Sequence, residues 1–141
     1  MILPDVNVLL FAFRKDAKNH DTYREWLDGI VNGAEPYGIS PQTLASVVRI
    51  ATHRQIYVHP SSASEVLEFC RAVMASELCV AVRPGPRHWT VFDDLCRRSK
   101  AAGNLVADAW FAALAIESGC EWITDDRGYA RFPGLRWREP F

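Results

Sequence analysis

Four aspartates stand where carboxylates can do chemistry. Asp5 follows the short apolar run Ile2-Leu3-Pro4, Asp125 and Asp126 follow Glu121-Trp122-Ile123-Thr124, and Asp108 interrupts the otherwise apolar stretch from Leu105 to Ala115. Taken singly, Asp5 and Asp126 read as loop-capping residues and Asp108 as a solvated helix position. Together they carry more information. Carboxylates that converge on one crevice repel, and raise one another's pKa unless a cation neutralises them. Oxygen donors with no imidazole or thiolate beside them suit Mg2+ or Mn2+. Such an ion polarises a phosphoryl oxygen and lowers the pKa of an attacking water.

Convergence depends on the elements that carry the acids. Ile2-Leu3 reads as a buried strand ending near Asp5 and turning into a helix. Tyr23, Trp26, Leu27, Ile30 and Val31 recur at helical spacing, which predicts an amphipathic helix over His20–Val31 closed by Gly33. Tyr37–Ile39 is a second strand. Ser40-Pro41 supplies a cap and a first-turn proline for a helix with Leu44, Val47, Val48 and Ala51 on its apolar side. Ser62 and Glu65 form a capping box before another helix. Cys79–Val82 is a third strand, stopped by Pro84-Gly85-Pro86, and Arg87–Ala102 a helix stopped at Gly103. Asn104 is the expected cap of the helix Leu105–Ser118, with Gly119 after it. Glu121–Thr124 is a fourth strand and Leu135–Trp137 a short fifth.

Strands alternating with helices imply βαβ units and a mostly parallel sheet. Ligands then sit beyond the carboxyl ends of the strands, where Asp5 and the Asp125–Asp126 pair fall. Asp108 lies four residues after Asn104, so the two side chains share one helix face. The positive end of the helix dipole helps keep Asp108 ionised.

The chain of 141 residues is expected to form one domain, 1–141, with no linker, repeat or low-complexity segment. Its hydrophobic fraction of 49% and charged fraction of 23% are those of a soluble globular protein. No apolar run is long enough for a membrane span, and the first residues lack the features of a signal peptide. Cys70, Cys79, Cys96 and Cys120 have no C-x-x-C spacing, so buried reduced thiols in a cytoplasmic protein are expected. A net charge of −1 excludes holding a nucleic acid by bulk charge alone. No Ser-His-Asp or Cys-His arrangement and no glycine-rich phosphate loop is present. A phosphoryl-accepting receiver domain would need a late strand ending in lysine and a central strand ending in the acceptor aspartate, whereas the third strand here ends Val82-Arg83-Pro84.

Three segments in order resemble the PIN-domain ribonucleases, in particular the VapC-like toxins of bacterial type II toxin–antitoxin pairs. Leu3-Pro4-Asp5-Val6-Asn7-Val8-Leu9 is similar to the strand–Asp–x–Asn motif of that family. Gly103 to Ala115 is similar to its helix-borne aspartate motif, and Thr124 to Leu135 to its closing motif. The resemblance covers nearly the whole chain. It implies a PIN-like three-layer α/β/α sandwich with a mostly parallel central sheet and a Mg2+-dependent endoribonuclease. It further implies a homodimer and a cognate antitoxin that blocks the site. By position, Asp5, Asp108 and Asp126 become the catalytic and metal-site acids, and Asn7 orients Asp5 or a water.

Two positions depart from the family pattern. Ser46 stands where many members carry a glutamate, and Gly128 where a second acid is common. Asp125 could compensate in part, and the Ser46 hydroxyl could bond a water at the ion. Both departures leave open a second reading, a catalytically degenerate PIN-like module that binds RNA or antitoxin.

Arg49 lies three residues past Ser46, on the same side of its helix, and could reach a scissile phosphate or pair with a site carboxylate. Arg83, Arg87, Arg97, Arg98 and Lys100, with Arg127, Arg131, Arg136 and Arg138, are further candidates for RNA contact, weighed equally against ordinary surface ion pairs. Trp26, Trp89, Trp110, Trp122 and Trp137 could stack on bases but read more simply as core or interface residues.

Overall fold

Five short strands form two sheets with parallel ladders. They are β1 (Ile2–Pro4), β2 (Tyr37–Ile39), β3 (Cys79–Ala81), β4 (Glu121–Ile123) and β5 (Trp137–Arg138). The computed structural model describes all residues, Met1–Phe141. β1 pairs with β4 and β4 with β5, while β2 pairs with β3, every ladder parallel. β2 lies beside β1 without a ladder. At Gly38 a Cβ atom would come within 3.2 Å of the Ile2 carbonyl and 2.8 Å of a Val82 methyl, so this close approach needs glycine. The strands thus lie side by side in the order β3-β2-β1-β4-β5. Chain progression reverses between β1 and β4, which makes the gap beyond their carboxyl ends the topological switch point of the sheet.

Six α-helices complete the three-layer sandwich: α1 (Val6–Phe13), α2 (His20–Val31), α3 (Pro41–Ala51), α4 (Ala63–Met74), α5 (His88–Ser99) and α6 (Asn104–Ser118). α1 packs on α2 and α3, α3 on α4, and α5 on α6. Local chemistry sets most ends. The Ser40 hydroxyl accepts from the Gln42 N–H with Pro41 in the first turn, and Ser62 and Glu65 form both arms of a capping box. The cap of α6 departs from the expectation. Gly103, at φ +59°, takes the cap position and Asn104 is the first helical residue, so its amide is free for other use. The helix expected over Arg87–Ala102 is shorter at both ends, because Lys100 adopts a left-handed conformation that stops it. The fifth strand sits two residues later at its start than Leu135, and only two residues long.

One core joins the layers, with Leu3, Val8, Leu9, Val47, Leu114 and Trp122 among its fully buried side chains. α6 is buried along Ala109 and Phe111–Ala115. Cys70 and Cys120 are buried, whereas Cys79 and Cys96 are only half-buried, because β3 is an exposed edge and Cys96 faces partly outward on α5.

The segment between α3 and α4 is fastened by Arg14, at the end of α1. Its buried guanidinium is gripped by the Asp16 carboxylate and donates to the His59 carbonyl and the Ser61 hydroxyl, both at 3.0 Å. It also lies 3.8 Å from the centre of the Tyr57 ring. This grip places Ile56 against the cleft described next. No helix is long and apolar enough to cross a membrane.

Candidate metal centre

The carboxyl ends of β1 and β4 are drawn together by the ladder, which continues one step further: the Asp5 N–H donates to the Ile123 carbonyl at 2.9 Å. Asp5 then serves as the cap of α1. Its Oδ1 accepts from the Val6 N–H and its Oδ2 from the Thr124 hydroxyl, each at 2.6 Å. The Thr124 oxygen in turn accepts from the Asp126 N–H at 3.0 Å. A single buried hydroxyl therefore ties the end of β1 to the turn after β4. Asp126 caps the short 3-10 turn Arg127–Arg131, its Oδ1 accepting from the Gly128 N–H at 2.7 Å. Capping and site chemistry are thus not rival roles here. The caps hold Asp5 and Asp126 in place and leave lone pairs free.

Asp108 comes from α6, one turn in from Asn104. The Tyr129 hydroxyl donates to its Oδ1 at a long 3.5 Å. Asp5, Asp108 and Asp126 line one cleft of about 410 Å³, together with Asn7 from α1, Ser46 and Arg49 from α3, and Asn104. None of the three carboxylates is engaged by an arginine or lysine in an ion pair.

Asp125 is not brought to this cleft. Successive residues leaving a strand point to opposite sides, and its carboxylate lies toward Tyr23, with Oδ1 buried and without a hydrogen-bond partner. Arg97 and Arg98 are paired with Asp93 and Asp94 on the same helix, and Arg127 and Arg138 with Glu139 and Glu121, so these four are surface ion-pair residues. Arg131 donates to the Gly128 carbonyl and Arg136 to that of Gly119. Arg49 has no such partner.

Residues 2–135 match the family model of the PIN domain. The chain is 40% identical to Ribonuclease VapC43 of Mycobacterium tuberculosis over 99% of its own length and 95% of that protein's. It is 39% identical to Ribonuclease VapC31 of the same organism, over 99% of each. The chain belongs to the PIN-domain VapC ribonucleases. The fold agrees with a solved structure of VapBC2 from Rickettsia felis bound to a DNA fragment from its promoter. The TM-score is 0.70 at 16% identity, covering 99% of this chain and 98% of that one. DNA-bound VapBC from Salmonella typhimurium matches at a TM-score of 0.65 and 20% identity, over all of both chains.

In this PIN domain the electrostatics follow from burial. Desolvation pushes the Asp5 carboxyl up to about 6, against the lowering pull of its bonds from Thr124 and Val6, with Asp108 and Asp126 adding repulsion. Asp108 is also raised, by desolvation and then by Asp126, while Tyr129 and the charge of Arg131 pull it down. The Tyr129 phenol, buried against the three carboxylates, is raised far above its ordinary value and stays a protonated donor.

Thr124 and Tyr129 are the site residues that the residue pattern alone did not single out. Thr124 is fully buried and its two bonds reach Asp5 and Asp126. A hydroxyl ending an apolar strand immediately before two aspartates is the signal it offered. Gly128 also gains a role. A Cβ there would lie 2.8 Å from Asp126 Oδ1, so glycine at this position gives the Asp126 carboxylate a backbone donor and room.

The donor set suits a hard divalent ion: three carboxylates, no imidazole, no thiolate, no neutralising ion pair. No three of the chain's His, Cys, Asp or Glu side chains stand close enough to form a ready-made cage. The carboxylates repel, and drawing them closer requires an opposing charge.

One consequence concerns pH. The folded-state pKa of Asp5 lies above its unfolded value of 3.8, at about 6. Ionising it therefore destabilises the fold, and stability present at low pH falls as pH rises from about 4 to about 6. The cost is on the order of 3 kcal/mol at neutral pH. Thermal melts of metal-free protein should show a lower Tm at pH 7 than at pH 5, and Asp5→Asn should flatten that dependence. An Asp5→Asn profile as steep as that of the parent would place the effect elsewhere.

Proposed function

We propose that this chain is a Mg2+-dependent endoribonuclease, with Mn2+ able to substitute, and the toxin of a toxin–antitoxin pair. On this reading it is a single PIN domain acting in the cytoplasm as a homodimer, and a cognate antitoxin protein blocks its cleft. The observation that carries the reading is the meeting of Asp5, Asp108 and Asp126 in one cleft with none of them held in an ion pair. The antitoxin is supported by relatives of the same fold whose structures are VapBC assemblies.

Asp5, Asp108 and Asp126 would hold the ion. When bound, it supplies neutralisation of the phosphate charge and acidification of a water for hydrolysis of the phosphodiester. The protein's own residues do the rest. Thr124, Val6 and Gly128 fix the carboxylates of Asp5 and Asp126 so that their free lone pairs face the cleft. Arg49, exposed and lining the same cleft from α3, would take a non-bridging phosphate oxygen. Asn7 and Ser46 can accept or donate a hydrogen bond to a water lined up for attack. Tyr129, kept protonated, steadies Asp108.

A second reading has one observation in its favour: the cleft holds three acids and no fourth, with Ser46 and Gly128 where the resemblance to the family implies acids. A degenerate module of this kind would bind RNA or antitoxin without cutting. Calorimetric titration of Mn2+ into metal-free protein separates the two. A saturable heat that disappears in Asp108→Asn is expected for the nuclease, and no heat at any Mn2+ concentration favours the binding module.

A further inference from the structure

A second groove, of about 520 Å³, opens beside the acidic cleft and shares four lining residues with it: Ser46, Arg49, Ala107 and Phe111. Its chemistry differs. It holds no carboxylate, and its far side is made by Phe92 from α5, Trp110 from α6 and Gln42 from the first turn of α3. Phe92 is only half-buried, with the exposed Trp89 packed on it at 5.3 Å between ring centres. Trp110 is set firmly: its carbonyl accepts from the buried His88 ring at 3.0 Å, and its indole packs against that ring and against Phe111. The Gln42 side chain is exposed and makes no hydrogen bond within the chain. Arg49 stands on the seam between the two spaces.

We infer that this groove is a subsite for one unpaired nucleobase next to the scissile phosphate, with Arg49 holding the phosphate between groove and cleft. The inference rests on the nuclease reading and deepens it. A phosphate at the three acids must continue into flanking nucleotides, and the wall shared with the groove offers them a route. Flat aromatic faces stack on any base, and a free amide can read a base edge. A base can enter only when it is unstacked, so the substrate is single-stranded or looped RNA at this position. The absence of carboxylates from the groove keeps repulsion of the phosphate backbone to the cleft side, where an ion would offset it.

The test uses binding of short fluorescent single-stranded RNAs to the cleavage-silent Asp108→Asn protein, with a single abasic nucleotide moved through the sequence. One abasic position should weaken binding about tenfold, the effect of losing one stacked base. Phe92→Ala should weaken the intact RNA by a similar factor and leave the RNA abasic at that position unchanged, which loss of fold alone would not produce. Gln42→Ala, at an exposed position, should reduce discrimination among the four bases there. It keeps the test decisive if Phe92→Ala fails to fold. RNA that the parent binds and cuts, with no abasic position standing out, overturns the subsite alone. So does a Phe92→Ala protein that changes its oligomeric state while binding every RNA as before, since the groove would then be covered by a second copy. RNA neither bound nor cut by the parent removes the nuclease reading and the subsite with it.

Discussion

Asp108→Asn should leave the protein folded and lower RNA cleavage by about 100-fold or more. The side chain is isosteric, and its only hydrogen bond is the long one from Tyr129, so little structure depends on its charge. Its pKa is raised by burial and by Asp126, so removing the charge relieves repulsion and should hold or slightly raise the Tm of metal-free protein. The activity loss follows from the charge. A cation at the reacting phosphate is worth several kcal/mol, and each 1.4 kcal/mol is tenfold in rate. Initial rates on a synthetic RNA, read beside a thermal melt of the same sample, check both halves. An unchanged rate would remove Asp108 from the catalytic set, and a collapsed melt would reveal a structural role that its contacts do not indicate.

Thr124→Val should harm both stability and activity. The substitution keeps shape and volume but deletes the hydroxyl that donates to Asp5 and accepts from the Asp126 N–H. It leaves a buried carboxylate oxygen and a backbone N–H without partners, at a cost of about 1–3 kcal/mol. The bond to Thr124 is also the largest influence lowering the Asp5 pKa, so its loss pushes that carboxyl further up. Cleavage should fall by about 10- to 100-fold, the usual range when a residue that orients ion ligands is lost. The acid limb of the pH–rate profile should move to higher pH. Thr124→Ser, which restores the hydroxyl, should recover most of the rate and return the profile. A Thr124→Val protein with a lowered Tm but an unmoved profile would make Thr124 a packing residue only.

Local signals and long-range contacts differ in how far the amino-acid sequence reveals them. The bounds of α2 at His20 and Val31, the capping box at Ser62 and the strand Tyr37–Ile39 were legible because each depends on residues within a turn or two. The Asn104 cap was misplaced because a cap needs non-helical backbone, and Gly103 reaches φ +59° more easily than asparagine begins a helix one residue later. β5 was displaced because two residues leave almost no periodicity to read. The strand order could not be deduced from any one segment. It depends on β1 lying between β2 and β4, which are separated from it by whole helices.

The same division holds at the site. Asp5 and Asp108 were singled out by position and by resemblance to the PIN motifs, and both line the cleft. The choice between Asp125 and Asp126 needed the direction of each side chain beyond β4, and the structure turns Asp126 into the cleft and Asp125 toward Tyr23. Thr124 and Asp5 are 119 residues apart in the chain, so no local pattern joins them. Gly128 looked like a missing acid; its N–H donates to Asp126, whose Oδ1 a Cβ at this position would meet at 2.8 Å. The arginines split in a similar way. Surface pairs one turn apart on α5 absorb Arg97 and Arg98, while Arg49 remains facing the cleft.

The most direct test is cleavage of a synthetic RNA by purified protein freed of metal with EDTA and then titrated with Mg2+ or Mn2+. Three carboxylates that no ion pair neutralises predict no cleavage in excess chelator and a saturable return of cleavage as either ion is added. Cleavage that continues undiminished in excess EDTA would contradict a metal-dependent site at Asp5, Asp108 and Asp126.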